Sequence, residues 1–367
     1  MFIISIAILQ SVLFLAHWVL YRSLVVFLNI TNPSQIFNLK IALGILSLSF
    51  LAASLISFRY IDVVTRIIYT IASVWIGILL YLLLATLVIS IIFGIASQFI
   101  GPSGRLMVAY SIFILSIVVS VYGIVNASVL RVKSISVDIS GLPQEWEGRK
   151  AVWVSDIHLG QVRGESFAKE IVAKIQEQNP DAVFIGGDLY DGGAPADMVA
   201  EPFSELKSKY GTYFITGNHE EFFDKDIYID ALNKLGIRIL DNEIVDLGGL
   251  NVAGVDYQDT TDNEKFQTVI SKMDIVKGKS LILLKHVPSN LDVAKLAGVD
   301  FQISGHTHEG QLFPIDVLTH AIYKGYDYGL KDYYGMKVYI SSGAGTWGPP
   351  MRIGTDPEIV VITFNKK

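Results

Sequence analysis

The chain has 367 residues, a net charge of −6 and no cysteine, which excludes disulfides and thiolate ligands, so any bound metal must be held by oxygen and nitrogen. Its first 133 residues carry seven basic and one acidic side chain, so residues 134–367 carry a net charge of −12. That acidic segment argues against nucleic-acid binding through a basic face.

Four apolar stretches in the first third of the chain predict a transmembrane region over residues 1–130. A helix that crosses the hydrocarbon core of a bilayer needs about 20 apolar residues, and each stretch reaches or approaches that length. Their interiors contain no Asp, Glu, Lys or Arg, which argues against an ion path or a transport site. We therefore expect an anchor, or a platform for a lipid-like substrate. The predicted spans are 2–21, 41–58, 67–97 and 106–126.

The orientation of these spans is left open by the charges around them. Four spans place both chain termini on one side of the membrane, and that side has four Lys or Arg residues against three on the other. The bias toward a cytoplasmic C-terminal domain is too small to decide. His17, the histidine of this region, lies beside Trp18 and Tyr21 and is expected at the membrane interface.

From about residue 134 the pattern changes to short β-type runs that alternate with helical ones. Apolar residues alternate with polar ones over 135–139, whereas 165–178 has the spacing of one helical face. Further β-type runs at 338–341 and 359–363 are expected to close the fold. Strand–helix alternation of this kind predicts an α/β domain, with bounds at 131–367.

Five apolar runs of this domain lead into Asp, Asn or His side chains. Each motif alone is more simply explained as a turn or a structural histidine. Together, each at a strand end, they match what a metal site on the rim of a sheet requires. The side chains, in chain order, are Asp156, His158, Asp188, Asn218, His219, His286, His306 and His308.

With these motifs, residues 148–365 resemble the calcineurin-like metallophosphoesterase superfamily. The resemblance is carried by Asp156-Ile157-His158, Gly187-Asp188-Leu189-Tyr190-Asp191, Gly217-Asn218-His219-Glu220, His286 and Gly305-His306-Thr307-His308. The stretches 310–314 and 345–350 are similar to those of the bacterial membrane-associated branch. The family fold, two sheets sandwiched between helices (α/β/β/α), agrees with the alternation of strands and helices.

The resemblance also implies a dinuclear metal centre. The ligands of one ion would be Asp156, His158 and His308. The ligands of the other would be Asn218, His286 and His306, and Asp188 would bridge the two ions. His219 would be the catalytic histidine near the leaving oxygen, and Asp191 would orient it.

Simple chemistry fits this assignment. Two divalent ions, two carboxylates and a bridging hydroxide leave one positive charge, which suits an anionic phosphoester. Ions about 3.5–4 Å apart can lower the pKa of a shared water and contact both the attacking and the departing oxygen. Imidazole, carboxylate and amide donors suit Mn, Fe or Zn better than Mg or Ca.

Three further features concern the substrate. Gly192 and Gly193 follow Asp191 where protein serine/threonine phosphatases of this superfamily have an Arg, which disfavours a phosphoprotein. Arg352 is predicted to contact phosphate, with a structural ion pair as the alternative. The tyrosine-rich segment 323–334 favours a membrane interface or an apolar groove, or equally a loop packed on its own sheet.

The predicted function is thus a membrane-anchored phosphoesterase that cleaves a phosphodiester or pyrophosphate bond, with membrane lipid and a lipid-linked phosphoester as partners. The alternatives are a phosphodiesterase on a soluble ester such as a cyclic nucleotide, and a non-catalytic metal-binding scaffold. No obligate protein partner is predicted.

Overall fold

The structure is a computed structural model that describes residues 2–367 apart from residues 58, 61, 97, 193–195, 197–199, 223 and 277. It divides into two compact units, which we call the helical unit and the α/β unit. The helical unit comprises Met1–Asn126 and Gly348–Ile353, and the α/β unit comprises Ala127–Trp347 and Gly354–Lys367. The sequence analysis placed residues 348–353 in the second domain, whereas here they group with the helices.

The described residues of the helical unit form four helices that are long and apolar enough to cross a membrane. They are α1 (Phe2–Phe27), α2 (Pro33–Ser57), α3 (Val63–Ala96) and α4 (Pro102–Asn126). Each predicted span lies within or close to one of them. The helices run further than the spans because polar residues at their ends can continue the backbone hydrogen bonds after the apolar pattern stops.

Two glycines of the helical unit make room for the segment Gly348–Ile353. A Cβ added at Gly123 of α4 would lie 2.6 Å from Cγ1 of Ile353, and one added at Gly77 of α3 would collide with the sulfur of Met351. Small residues permit such close packing between apolar elements, where lipid supplies no hydrophobic driving force. Glycine at these two positions is therefore a packing requirement.

The expectation for His17 was wrong, because α1 continues ten residues beyond it. His17 is buried, and Nε1–H of Trp75 on α3 donates to its Nε2 at 2.9 Å. Its Nδ1 lies 2.7 Å from the carbonyl oxygen of Leu13. Since Nε2 accepts, Nδ1 carries the proton and donates to that carbonyl. The histidine connects two helices and does not lie at their ends.

The described residues of the α/β unit form two six-stranded sheets. Their strands are β1 (Arg131–Ile139), β2 (Lys150–Val154), β3 (Ala182–Ile185), β4 (Thr212–Phe214), β5 (Arg238–Ile239), β6 (Glu243–Leu247), β7 (Leu250–Gly254), β8 (Leu281–Leu284), β9 (Phe301–Ser304), β10 (Gly329–Tyr333), β11 (Met336–Ile340) and β12 (Glu358–Lys366). The first sheet has the order β1-β12-β2-β3-β4-β5 and the second β10-β11-β9-β8-β7-β6.

Seven α-helices belong to the described part of the α/β unit. They are α5 (Glu165–Glu177), α6 (Asn218–Glu221), α7 (Lys225–Lys234), α8 (Tyr257–Thr260), α9 (Asn263–Ser271), α10 (Leu291–Leu296) and α11 (Ile315–Ile322). Short 3-10 helices occur at Gln144–Trp146, Glu201–Glu205 and His308–Gly310.

Alternation of side chains along the strands builds three apolar layers. In β2, Val152 and Val154 pack with α5 and α7, whereas Trp153 packs between the sheets. In β8, Ile282 and Leu284 face the space between the sheets, whereas Leu281 and Leu283 face α9 and α10. Strands buried on both faces explain the continuous apolar runs in the sequence. The α/β/β/α prediction is confirmed.

Strand direction decides where the site forms. Strands β2, β3 and β4 are mutually parallel in the first sheet, as are β7, β8, β9 and β11 in the second. In parallel sheets the loops that follow the strands meet at one edge, and ligands bind there. The polar motifs of the sequence follow β2, β3, β4, β8 and β9.

Candidate metal centre

The loops that carry the polar side chains have an unusual backbone. Their φ angles lie in the left-handed region, which costs a non-glycine residue of the order of 1–3 kcal/mol. The residues concerned are Asp156 (54°), His158 (54°), Asp188 (52°), His306 (70°) and His308 (49°). Five such residues at one edge of a fold indicate that function, rather than stability, determines the local conformation.

Two glycines allow these loops to approach one another. A Cβ at Gly217 would collide with the Asp188 carboxylate, and a Cβ at Gly305 would collide with the carboxylate of Asp156. The backbone N–H of His219 donates to Oδ1 of Asp188 at 2.8 Å, and that of His306 donates to Oδ1 of Asp156 at 2.9 Å. Both carboxylates are therefore fixed by neighbouring loops.

The first group of candidate ligands consists of Asp156, His158 and His308, which are all buried. Nε2 of His158 lies 3.0 Å from Nε2 of His308, and that atom lies 3.6 Å from Oδ1 of Asp156. Two imidazole nitrogens at about 2.0–2.1 Å from one ion lie roughly 3 Å apart, so this spacing fits a shared metal.

The second group consists of Asp188, His286 and His306. Nε2 of His286 lies 3.3 Å from Oδ2 of Asp188 and 4.0 Å from Oδ1 of Asp156. Nδ1 of His306 lies 2.8 Å from Oδ1 of Asn218, so the predicted amide ligand adjoins this group. His286 therefore links the two groups.

His219 and Asp191 lie beside the first group. Nδ1 of His219 is 3.3 Å from Oδ1 of Asp191, and the His219 ring centroid is 4.5 Å from that of His158. Burial by itself would lower the pKa of His219, but the carboxylates of Asp191 and Asp188 outweigh burial and raise that pKa. An imidazole held in this way is suited to donate a proton near neutral pH.

Comparison with known proteins identifies the family of this site. A model of the calcineurin-like phosphoesterase family matches residues 149–310. A metallophosphoesterase of Campylobacter jejuni is 35% identical over 270 residues, which are 72% of this chain and 71% of that protein. The chain belongs to the calcineurin-like phosphoesterase family.

Two other relatives differ in how much of their length is matched. A metallophosphoesterase of Aquifex aeolicus is 30% identical over 260 residues, which are 69% of this chain and 98% of that protein. A protein of Danio rerio, named a transmembrane protein with metallophosphoesterase domain, is 31% identical over 272 residues, which are 69% of this chain and 62% of that protein.

Family and geometry together make this chain a metal-dependent phosphoesterase that uses divalent metal ions, and its substrate is a phosphoester. The four apolar helices, with a relative named as a transmembrane protein, make it a membrane protein. The predictions of an enzyme of this class and of its family are confirmed, and four apolar helices long enough to cross a membrane lie where the transmembrane region was predicted.

The residues present fit divalent metal ions. Nε2 of His286, which lies 3.3 Å from Oδ2 of Asp188, is buried and has no hydrogen-bond partner among the described residues. A buried polar atom without a partner is unfavourable unless a ligand satisfies it. Nδ1 of His286 lies 2.8 Å from the carbonyl oxygen of Gly186, which fixes the tautomer that leaves Nε2 with a lone pair.

The protonation of the ligands agrees with this role. Burial lowers the pKa of His158 to about 4 and that of His306 to about 3, so both imidazoles are neutral and offer a lone pair. Burial raises the pKa of Asp156 to about 6. Burial raises the pKa of the Asp188 carboxyl, but the neighbouring imidazoles, His286 foremost, outweigh burial and lower that pKa. Against the effect of burial, the carboxylates of Asp188 and Asp156 in turn raise the pKa of His286 to about 9, so they favour a positive charge at its Nε2, which a bound cation would supply in place of the proton.

The role of Glu220 was not predicted from the sequence. Its buried carboxylate accepts hydrogen bonds from the backbone N–H groups of Gly217 (2.8 Å), Asp188 (2.9 Å), Leu189 (2.9 Å) and Tyr190 (3.3 Å). Glu220 thus ties the loop after β3 to the loop after β4. The signal in the sequence was the position of Glu220, three residues after Gly217. Gly217 is the N-cap of α6, and a Glu at this spacing is typical of a capping box.

The tyrosine-rich segment divides between the two predicted roles. Tyr326 and Tyr333 pack on their own sheet, whereas Tyr328 donates to the buried Glu358 of β12 in the first sheet. Tyr323 instead faces the site, with its ring centroid 6.4 Å from that of His306. The Tyr257 ring also lies beside the second group, 6.2 Å from that of His286.

Arg352 lies in the segment that groups with the helical unit. It is buried, its backbone N–H donates to the carbonyl of Gly123 at 2.9 Å, and its own carbonyl accepts from Nδ2 of Asn126 at 3.2 Å. A Cβ added at Gly192 would meet no other described atom within 4 Å. Gly193 lies outside the described residues.

Proposed function

We propose that this enzyme uses two divalent ions to hydrolyse a phosphodiester or pyrophosphate bond of a lipid-linked substrate. The observation that carries the dinuclear proposal is the adjacency of the two ligand groups. Nε2 of His286 lies within 4.0 Å of carboxylate oxygens from both Asp156 and Asp188. Two ligand sets this close together suit a pair of ions a few ångströms apart, with Mn, Fe or Zn as the expected metals.

The chain would divide the ligands between the ions. One ion would be held by Asp156, His158 and His308. The other would be held by Asn218, His286 and His306, with Asp188 shared between them. When bound, two such ions supply a Lewis acid that activates water and stabilises the charge that develops on phosphorus oxygens.

The remaining residues would orient the substrate and handle its proton. His219 is within reach of the first ligand group and would donate a proton to the departing oxygen, as a general acid. Asp191, 3.3 Å from His219 Nδ1, would hold the ring in position. Arg352 stays a proposal as a phosphate contact.

Three observations support a lipid-linked substrate. Only residues 127–130 separate α4 from β1, so a short linker joins the catalytic unit to the four apolar helices. Gly192 leaves open space where a phosphoprotein enzyme has Arg. Tyr257 and Tyr323 supply apolar ring surface beside the second ligand group. A substrate that is already in the bilayer meets a tethered site at a high effective concentration.

The test compares two phosphoesters on the full-length protein reconstituted in nanodiscs with Mn²⁺. We expect faster hydrolysis of a lipid phosphoester or lipid-linked pyrophosphate than of a water-soluble aryl phosphodiester, and loss of both rates with a chelator. Asp188→Ala should lose both activities, whereas Asp230→Ala, at an exposed position on α7, should retain them.

Three outcomes would contradict parts of the proposal. A faster rate on the soluble ester would favour the soluble phosphodiester alternative. Full activity in the Asp188→Ala protein would show that hydrolysis does not need Asp188 as a shared ligand. Fewer than about one ion per chain under metal-replete conditions, without turnover, would favour a scaffold.

We further propose that four spans place both termini on the same, cytoplasmic side, as the small excess of basic residues there favours. Because the chain has no cysteine, Leu296→Cys would provide a unique label on the α/β unit. In intact cells this cysteine should react with a membrane-permeant maleimide and not with an impermeant one. Reaction with the impermeant reagent would show that the α/β unit lies on the outer side of the membrane.

A further inference from the structure

Within the described part of the α/β unit, exposed apolar side chains are concentrated at α11. Elsewhere they are scattered, as at Phe222, Val276 and Leu296, which is normal for a protein surface. By contrast, five fall within ten consecutive residues, namely Phe313, Ile315, Val317, Leu318 and Ile322. We call this set, with Trp347, the α11 surface.

The α11 surface is strongly exposed and carries no exposed carboxylate. Val317, Leu318 and Ile322 are 61%, 60% and 62% exposed. Asp316, the acidic residue of α11, is half-buried and one of its carboxylate oxygens points inward. His320 is the exposed titratable residue of α11, and its Nδ1 lies 3.0 Å from Oδ1 of Asp327. In a segment of the chain with a net charge of −12, a helix whose other exposed side chains are mostly aliphatic is costly in water, and an apolar partner would remove that cost.

Hydrogen bonds place this surface beside the residues where the chain passes to the helical unit. The side chain of Gln311 donates to the Trp347 carbonyl at 2.9 Å, and Trp347 N–H donates back to Oε1 of Gln311 at 2.9 Å. A Cβ at Gly354 would lie 3.5 Å from that of Phe313. In the chain, Trp347 directly precedes and Gly354 directly follows Gly348–Ile353, which belongs to the helical unit.

We propose that the α11 surface docks into the lipid–water interface of the membrane that holds the four helices. The aliphatic side chains would enter the acyl region, and Trp347, which is 61% exposed, would lie at the level of the headgroups, where indole rings concentrate. Lys324, exposed just after the end of α11, is suited to anionic headgroups. The occupant of this surface is the bilayer itself.

Docking of α11 would also position the candidate metal site. This second step rests on the proposed function, whereas the docking itself does not. The residue after α11 is Tyr323, whose ring faces His306 across 6.4 Å. A membrane-docked α11 would therefore hold the metal-ligand edge of the sheets at the membrane surface. A lipid-linked phosphoester presents its headgroup at that level.

The test uses single cysteines in the full-length protein, which has none of its own. Leu318→Cys on α11 and Leu296→Cys at the end of α10, 82% exposed, are labelled with an environment-sensitive fluorophore in phosphatidylcholine nanodiscs. A fraction of the lipid carries a nitroxide quencher near the start of the acyl chain. An interfacial helix buries its apolar face about 5–10 Å deep, so the label at 318 should be quenched and blue-shifted, and the label at 296 should not.

Two results would overturn the proposal, and neither depends on turnover. The first is equal quenching at 318 and 296. The second is a label at 318 that responds only when a lipid phosphoester is added, which would make the α11 surface a groove for the substrate's acyl chain. As a further check, Val317→Glu should reduce the quenching at 318, since a carboxylate does not enter the acyl region.

Discussion

The helical unit and the α/β unit differ most in the side chains that they expose. In the helical unit, small residues such as Ser73 and Ala109 are buried together with Leu20 and Ile89, while many other large aliphatic side chains point outward. In the α/β unit, large residues such as Trp153 and Phe184 fill the core. The difference shows that one unit is built for lipid, where close backbone packing holds helices together, and the other for water, where the hydrophobic effect does.

Polar groups also differ between the units. In the helical unit most buried hydroxyls donate to a carbonyl of their own helix, as Ser120 does to Ser116, and the bond between Trp75 and His17 joins two helices. The α/β unit collects buried carboxylates and imidazoles at one edge, where strained loops hold them. Substitutions at that edge should therefore affect chemistry most, and substitutions in the helices should affect only stability.

The largest expected effect separates the proposed catalytic histidine from the proposed metal ligands. His219→Ala should lower turnover by about 10²–10⁴-fold, the usual contribution of a general acid, with the metal content unchanged. His286→Ala should lower both turnover and metal content, because it removes a ligand. Measuring the metal content of each variant together with its phosphoesterase activity distinguishes the two roles. Equal loss of metal in both variants would mean that His219 is a ligand instead.

The next effect is on the stability of the α/β unit. Glu220→Ala leaves four backbone N–H groups without their carboxylate partner and should cost roughly 3 kcal/mol or more. Thermal unfolding followed by tryptophan fluorescence should report the change, together with weakened metal binding because the Asp188 loop is released. The matched control is Glu177→Ala, at an exposed position on α5, which should stay within about 0.5 kcal/mol. Similar unfolding curves for both variants would contradict the role given to Glu220.

A smaller effect is expected from crowding the helical unit. Gly123→Leu would displace Ile353 and should destabilise this unit by about 1–3 kcal/mol, the usual cost of overpacking. Gly44→Leu on α2 is the control, since a Cβ there meets no described atom within 4 Å. Unfolding in detergent, measured by circular dichroism, provides the comparison. If Gly44→Leu were as disruptive as Gly123→Leu, the pocket for Ile353 would not explain the result.

The smallest effect tests the polar contact between α1 and α3. Trp75→Phe removes the donor to His17 and should cost about 0.6–1.7 kcal/mol, the range of hydrogen bonds between membrane helices. Trp18→Phe, at an exposed position on α1, should cost less. Turnover should be unchanged in both, and a loss of activity in Trp75→Phe would show that the helices contribute to chemistry.

The local pattern of the sequence was sufficient for the fold class and for most candidate ligands. Apolar runs of about 20 residues are found in membrane helices because no shorter apolar helix crosses a bilayer. Strands buried on both faces are mainly apolar, so an Asp or His that follows shortly after such a run marks its end. Asp156, Asp188 and His306 could be found in this way without knowing how the strands are ordered.

Only the tertiary structure decided which distant residues meet. Glu220 binds the loop after β3 through its carboxylate, and Trp75 reaches His17 across 58 positions of the chain. The segment Gly348–Ile353 joins the helical unit although its own pattern resembles the loops around it. Such contacts depend on packing between elements, which the spacing of residues along one element does not encode. The sequence determined which side chains are available, and the fold determined their partners.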